Sequence, residues 1–208
     1  MSNVTWKSIS PLSPDYWKSA ASEVKNPKML ALAALFTALN IVLASFFIPV
    51  GESLRIYFTF FVKALGAMIY GPVLALYTGF IGDILGYVIH PTGPFFFGYT
   101  ISSMLGSMVY GLFFYRVKVG VVRITACKIT VNLFINILLG SLWSAMLYGK
   151  GYYYYFVKSA IKNVTLFPFE VLTLLVFFHV MIPILTSTRL FPNISQVKNS
   201  WLLKLKRF

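Results

Sequence analysis

The side chains that could do chemistry in this 208-residue chain are few, and several lie within apolar runs. Five carboxylates face eighteen Lys and Arg residues, and two histidines (His90, His179) with the single thiol of Cys127 do not build a convincing metal or redox centre. An ionised group inside a membrane span costs at least a few kcal/mol, so each needs a partner or a task. With a helix rise of ~1.5 Å per residue, Lys63 comes level with Asp83, and Lys128 with Glu170. Two structural ion pairs are expected, with a proton relay as the alternative for either carboxylate. Gly149-Lys150-Gly151 lacks the upstream glycine and the hydroxyl residue of a phosphate-binding loop, so no ATP hydrolysis or other catalysis is expected of this chain itself.

Setting those pairs aside leaves Arg55, Lys150, Lys158 and Lys162 near one face, with only Glu52 to answer them. Lysines at a membrane surface can snorkel to lipid phosphates, which accounts for Lys150 and Lys158. Lys162 lies deeper, beside Asn163, and an anionic ligand would explain it through charge-assisted hydrogen bonds. Tyr87, Phe97, Tyr99 and Trp143 could wall a flat ring system, and Asn136 could donate to and accept from it; their alternative is an interfacial aromatic belt or interhelical bonding. Ala34 and Ala38 form a small-xxx-small face that suits either internal packing or the docking of another protein.

The elements that must position these groups are membrane helices. Hydrophobic residues make up 58% of the chain and charged ones 11%, with mean hydropathy +0.78, which is too apolar for a soluble surface. Uncharged runs such as 29–51, 84–115 and 129–149 are long enough to cross a bilayer core of ~30 Å. Division at Gly and Pro turns gives six spans: about 27–48, 54–70, 72–89, 95–115, 121–147 and 156–186, the last containing Pro168. Ser13-Pro14-Asp15 opens a short helix expected to lie in the interface. Basic residues concentrate in the N-terminal segment, the connection after the fourth span and the C-terminal tail, which places both termini in the cytoplasm. The expected fold is thus an all-α integral membrane protein of six transmembrane helices with an N-terminal interfacial helix. Residues 1–26 form a cytoplasmic or interfacial segment, 27–188 the membrane domain and 189–208 a basic tail. Topology accounts for most of the net charge of +13, so nucleic acid is not expected as a partner.

The order of Asn26-Pro27-Lys28 before an alanine-rich span, Gly71-Pro72 before Gly82-Asp83, and Pro91-Thr92-Gly93-Pro94-Phe95-Phe96-Phe97-Gly98 resembles the substrate-binding S components of energy-coupling factor transporters. Asn136, Trp143, Gly149-Lys150-Gly151, Lys162-Asn163 and Pro168-x-Glu170 are most similar to the folate-specific branch. That resemblance implies a multi-pass subunit of the bacterial cell membrane that captures folate outside. It also implies delivery through a transmembrane coupling protein and two ATP-binding subunits, with no cofactor of its own. The site would lie under loops 1, 3 and 5, the glutamate tail on Arg55 or Lys162 and the rings on Phe97, Tyr99, Trp143 and Asn136. Ala34 and Ala38 would meet the coupling protein.

Other readings stay open. Another vitamin, such as riboflavin, fits the same class, whereas cationic thiamin conflicts with the positive excess. A solitary proton-coupled carrier would need an unpaired membrane carboxylate. An intramembrane enzyme would need a catalytic constellation, and His90 and His179 lie near opposite ends of their spans.

Overall fold

A computed structural model of the chain describes residues 11, 13–49, 55–91, 93–117 and 119–187. Glu52, Lys118 and the basic tail from 189 lie outside the described residues, as does the side chain of Arg55. The described residues are mostly helical. Helix α1 (Pro14–Ser22) continues through a short 3-10 turn, Glu23–Lys25, to α2 (Pro27–Ala44). A three-residue antiparallel hairpin follows, β1 (Phe47–Pro49) on β2 (Arg55–Tyr57), with Ile48 opposite Ile56. Then come α3 (Thr59–Ile89), α4 (Phe97–Phe114), α5 (Val121–Thr130), a π-helical stretch (Val131–Leu139), α6 (Gly140–Tyr148) and α7 (Tyr152–Ser187).

Local chemistry sets most of these boundaries. Asn26 caps α2, its side-chain oxygen accepting from the Lys28 amide at 3.1 Å, and Pro27 occupies the first turn, where its missing N–H is no loss. Gly149 ends α6 with φ +73, a left-handed conformation that glycine adopts without strain. The second span was expected to begin near Leu54, but the helix starts at Thr59 because residues 55–57 pair as a strand. Tyr152 to Tyr155, expected in a loop, are the first turn of α7. Pro168 and Pro183 both lie within α7, which remains a single helix through them.

Among the described residues five helical segments are long and apolar enough to cross a membrane: α2, α3, α4, the continuous 121–148 helix and α7. The 31-residue α3 is not straight. Gly71 has φ +84 and ψ +173, outside helical geometry, and Pro72 follows it. Lys63 and Asp83, about 30 Å apart on a continuous helix, line one cavity, so the chain reverses at Gly71 into two arms. Both arms pack on α4 with little room. A Cβ at Gly111 would collide with Pro72, whose nitrogen would lie at 2.7 Å, and one at Gly79 would lie 2.7 Å from the Ser103 carbonyl oxygen. The residues from Ala64 to Tyr70 are all buried and form the centre of the core with Phe114, Leu174 and Phe178.

Helix α1 is fastened to this end of the bundle. Tyr16 is fully buried and donates to the Gly111 carbonyl at 3.0 Å, and Tyr115 donates to Glu23 at 3.1 Å. Burial raises both phenols well above their ordinary range, so each is a neutral donor. Glu23 also meets Arg116 at 3.4 Å. Arg116 itself takes φ +52, a conformation uncommon for a residue with a side chain.

Candidate functional site

The polar residues of α7 fall on one stripe. Lys158, Ser159, Lys162, Asn163 and Glu170 recur at helical spacing and line a cavity of about 730 Å³, within the roughly 300–1,000 Å³ range of small-molecule sites. Tyr99, Ser102, Ser103, Gly106 and Tyr110 supply a matching face of α4, again at i, i+3, i+4, i+7 and i+11. Lys128, Asn136, Ser141, Ser144 and Tyr148 complete the wall from the 121–148 helix, and Tyr57, Thr59 and Lys63 close it from the hairpin side.

Charge is unevenly distributed around this space. Five ammonium groups (Lys63, Lys128, Lys150, Lys158, Lys162) and one carboxylate (Glu170) line it among the described residues. The carboxylate is engaged: Lys128 Nζ lies 3.0 Å from Glu170 Oε2, and Asn132 Nδ2 donates to the same oxygen at 2.9 Å. From there a chain of amides crosses the cavity wall. Asn136 donates to Asn132 at 3.0 Å and to Asn163 at 3.3 Å, while Asn163 donates to the Ser159 carbonyl at 2.8 Å. Asn132 and Asn136 both sit on the π-helical stretch, a rare i→i+5 geometry that occurs frequently at functional sites.

Lys63 and Asp83, expected to pair directly, do not. Lys63 donates to Ser103 Oγ at 3.1 Å, and Asp83 accepts from Thr100 Oγ1 at 2.7 Å. The reversal at Gly71 brings them to the same cavity, but hydroxyls of the intervening α4 take both groups. That cavity is a second chamber of about 510 Å³ beside the first, sharing Tyr57, Lys63, Tyr99 and Ser103 with it.

The structure brings together Tyr99, Asn136, Lys162 and Asn163 around the larger chamber, and Tyr87 lines the smaller one. Phe97 is not brought there: it is 54% exposed and points away, because the chamber face of α4 runs through Tyr99 and Ser103. The neighbouring Phe96 turns inward instead, with ring centroids 6.1 Å from Tyr99 and 5.9 Å from Trp143. Trp143 acts behind the wall, its indole N–H donating to Ser102 Oγ at 2.9 Å, and Gly98 leaves the space its ring needs. Tyr99 donates to or accepts from Ser144 at 2.9 Å. Ala34 and Ala38 line neither chamber and lie on the exposed side of α2, whose buried side carries Met29, Ala33, Thr37 and Ile41.

Sequence reasoning missed the serines at 102, 103, 141, 144 and 159, together with Tyr110 and Tyr148. A signal existed: within apolar spans these hydroxyls recur at helical spacing on the same stripes as the charged residues.

Apolar helices enclosing a ligand-sized chamber rich in ammonium groups define a multi-pass membrane protein that binds a solute. The sequence matches the description "ECF transporter, substrate-specific component" over residues 28–188, and the chain belongs to that family of transporter substrate-binding components. It is 31% identical over 151 residues to a folate transporter FolT of Clostridium novyi (strain NT), covering 73% of this chain and 88% of that protein. A folate transporter FolT of Leuconostoc mesenteroides subsp. mesenteroides is 30% identical, covering 69% and 80%. The fold is similar to a crystal structure of FolT bound with folic acid, with TM-score 0.66 and 30% identity over 72% of this chain and 91% of that one.

Proposed function

We propose that the chain is the folate-capturing subunit of an ECF importer, taking folate from outside the cell and delivering it through a transmembrane coupling protein and two ATP-hydrolysing subunits. The observation that carries the reading is the chamber's composition: among the described residues, five ammonium groups against one carboxylate, with tyrosines and amides on the walls. Folate supplies the complement, two carboxylates at one end and a flat, nitrogen-rich ring at the other. The similarity to folate transporters from two organisms supports the same substrate.

In this reading the two arms of α3 count as two spans, giving six, with both termini cytoplasmic and the chamber mouth outward. Residues 27–188 form the membrane domain between a docked N-terminal segment and a basic tail. Lys162 or Arg55 holds the glutamate tail, while Tyr99, Asn136 and Asn163 contact the rings. Tyr87 borders the smaller chamber and Trp143 supports the wall through Ser102, while the exposed Phe97 is given no ligand contact. The exposed Ala34 and Ala38 form the docking face for the coupling protein, whose close approach small side chains permit. The subunit needs no cofactor of its own.

Titration of the purified chain with folate, riboflavin and thiamin tests the assignment. Saturable 1:1 binding of folate with neither competitor bound supports it; tight binding of riboflavin and none of folate overturns it.

A further inference from the structure

We infer that Glu170 reads the ring end of the ligand, its Oε1 oxygen accepting a hydrogen bond from a ring N–H or exocyclic amino group and so fixing which end enters the chamber first. This rests on the folate reading and deepens it.

A lysine head donates and never accepts, whereas an ionised carboxylate only accepts. Of the ionised groups lining the larger chamber among the described residues, Glu170 alone can therefore receive a donor from the ligand. Its two oxygens are not equivalent. Oε2 is taken by Lys128 and Asn132, while Oε1 has no protein partner among the described residues on a side chain that lines the chamber.

The carboxylate is also held still. Asn132, which donates to it, is itself fixed by Asn136, and Asn136 by Asn163, so the acceptor is oriented before any ligand arrives. A satisfied network of this kind rigidifies its members. Placement along α7 sorts the chamber by polarity: Lys162 and Lys158 precede Glu170 by eight and twelve residues, about 12 and 18 Å of helix. One end of the stripe thus offers donors to carboxylates, and the other offers an acceptor to N–H groups. A pteridine carrying an amino group at one end and a glutamate at the other matches that order in one direction only.

The test compares folate with p-aminobenzoylglutamate, which keeps the tail and lacks the pteridine, on the full chain, Glu170→Gln and the double variant Lys128→Met with Glu170→Gln. The double variant leaves no uncompensated lysine. Loss of a hydrogen bond to a charged group should weaken folate about ten- to a hundredfold in both variants and leave p-aminobenzoylglutamate unchanged. Equal weakening of the two ligands, no weakening of folate, or recovery of folate affinity in the double variant would each overturn the inference while leaving folate as substrate. Failure of the unaltered chain to bind folate would overturn the substrate reading, and the inference with it.

Discussion

Lys128 Nζ lies 3.0 Å from Glu170 Oε2 and 4.5 Å from the centroid of the Phe60 ring, so one ammonium group ties α5 to α7 beneath the ligand chamber. Its side chain is 2% exposed and that of Glu170 14%, which makes this a buried pair rather than a screened surface contact. Removing one partner strands the other. Lys128→Met should destabilise the protein by about 3 kcal/mol or more, and adding Glu170→Gln should recover most of the loss. Thermal unfolding in detergent measures both; a single variant as stable as the double would show that the pair carries little.

Lys162 sits midway along the polar stripe of α7, beside the amide network. Lys162→Met should weaken folate about tenfold or more, the cost of a charge-assisted hydrogen bond, whereas Lys162→Arg should keep most of the affinity. Calorimetric titration decides. Full affinity in Lys162→Met would assign the glutamate tail to other cations of the chamber.

The exposed alanines of α2 predict a separation of binding from transport. Ala34→Trp and Ala38→Trp should abolish folate uptake by cells and leave folate affinity of the purified subunit unaltered. A parallel loss of both would make that surface a packing face within the subunit.

Close packing of α3 on α4 gives a stability prediction that concerns no ligand. Gly79→Ala and Gly111→Ala each place a methyl group against backbone atoms, of Ser103 and Met104 in the first case and Pro72 in the second. Overpacking of this kind costs about 1–3 kcal/mol. Gly86→Ala, where nothing lies within 4 Å, is the control and should leave the unfolding temperature unmoved.

The anchor of α1 makes a smaller demand. Tyr16→Phe removes a single buried hydrogen bond to Gly111 and should cost about 1 kcal/mol. Hydrogen exchange of residues 14–25 should rise in this variant while that of α7 stays the same.

Much of the scaffold could be read from residue types, because apolar runs, Gly-Pro turns and helix caps act locally. Asn26-Pro27 and Gly71-Pro72 stand where their chemistry predicted a start and a turn. The level positions of Lys128 and Glu170 also followed from helical rise, since both lie on helices that meet side by side. Depth alone could not distinguish a direct pair from two groups with separate hydroxyl partners, and Lys63 with Asp83 proved to be the latter. Which ring faces inward at the start of α4 was equally hidden. Phe95, Phe96 and Phe97 are identical in type, yet Phe95 and Phe96, which precede α4, line the smaller chamber while Phe97, its first residue, does not. The hydroxyl lining escaped notice because a single serine in an apolar span signals little; only its recurrence at helical spacing beside the charged residues marks the stripe.

The hairpin at Gly71 has a mechanical meaning. Its two arms close on α4 with no space for a methyl group at Gly79 or Gly111, and every residue from Ala64 to Tyr70 is buried. On the proposed reading the described helices form a cup rather than a conduit, and cargo leaves by the rim through which it came.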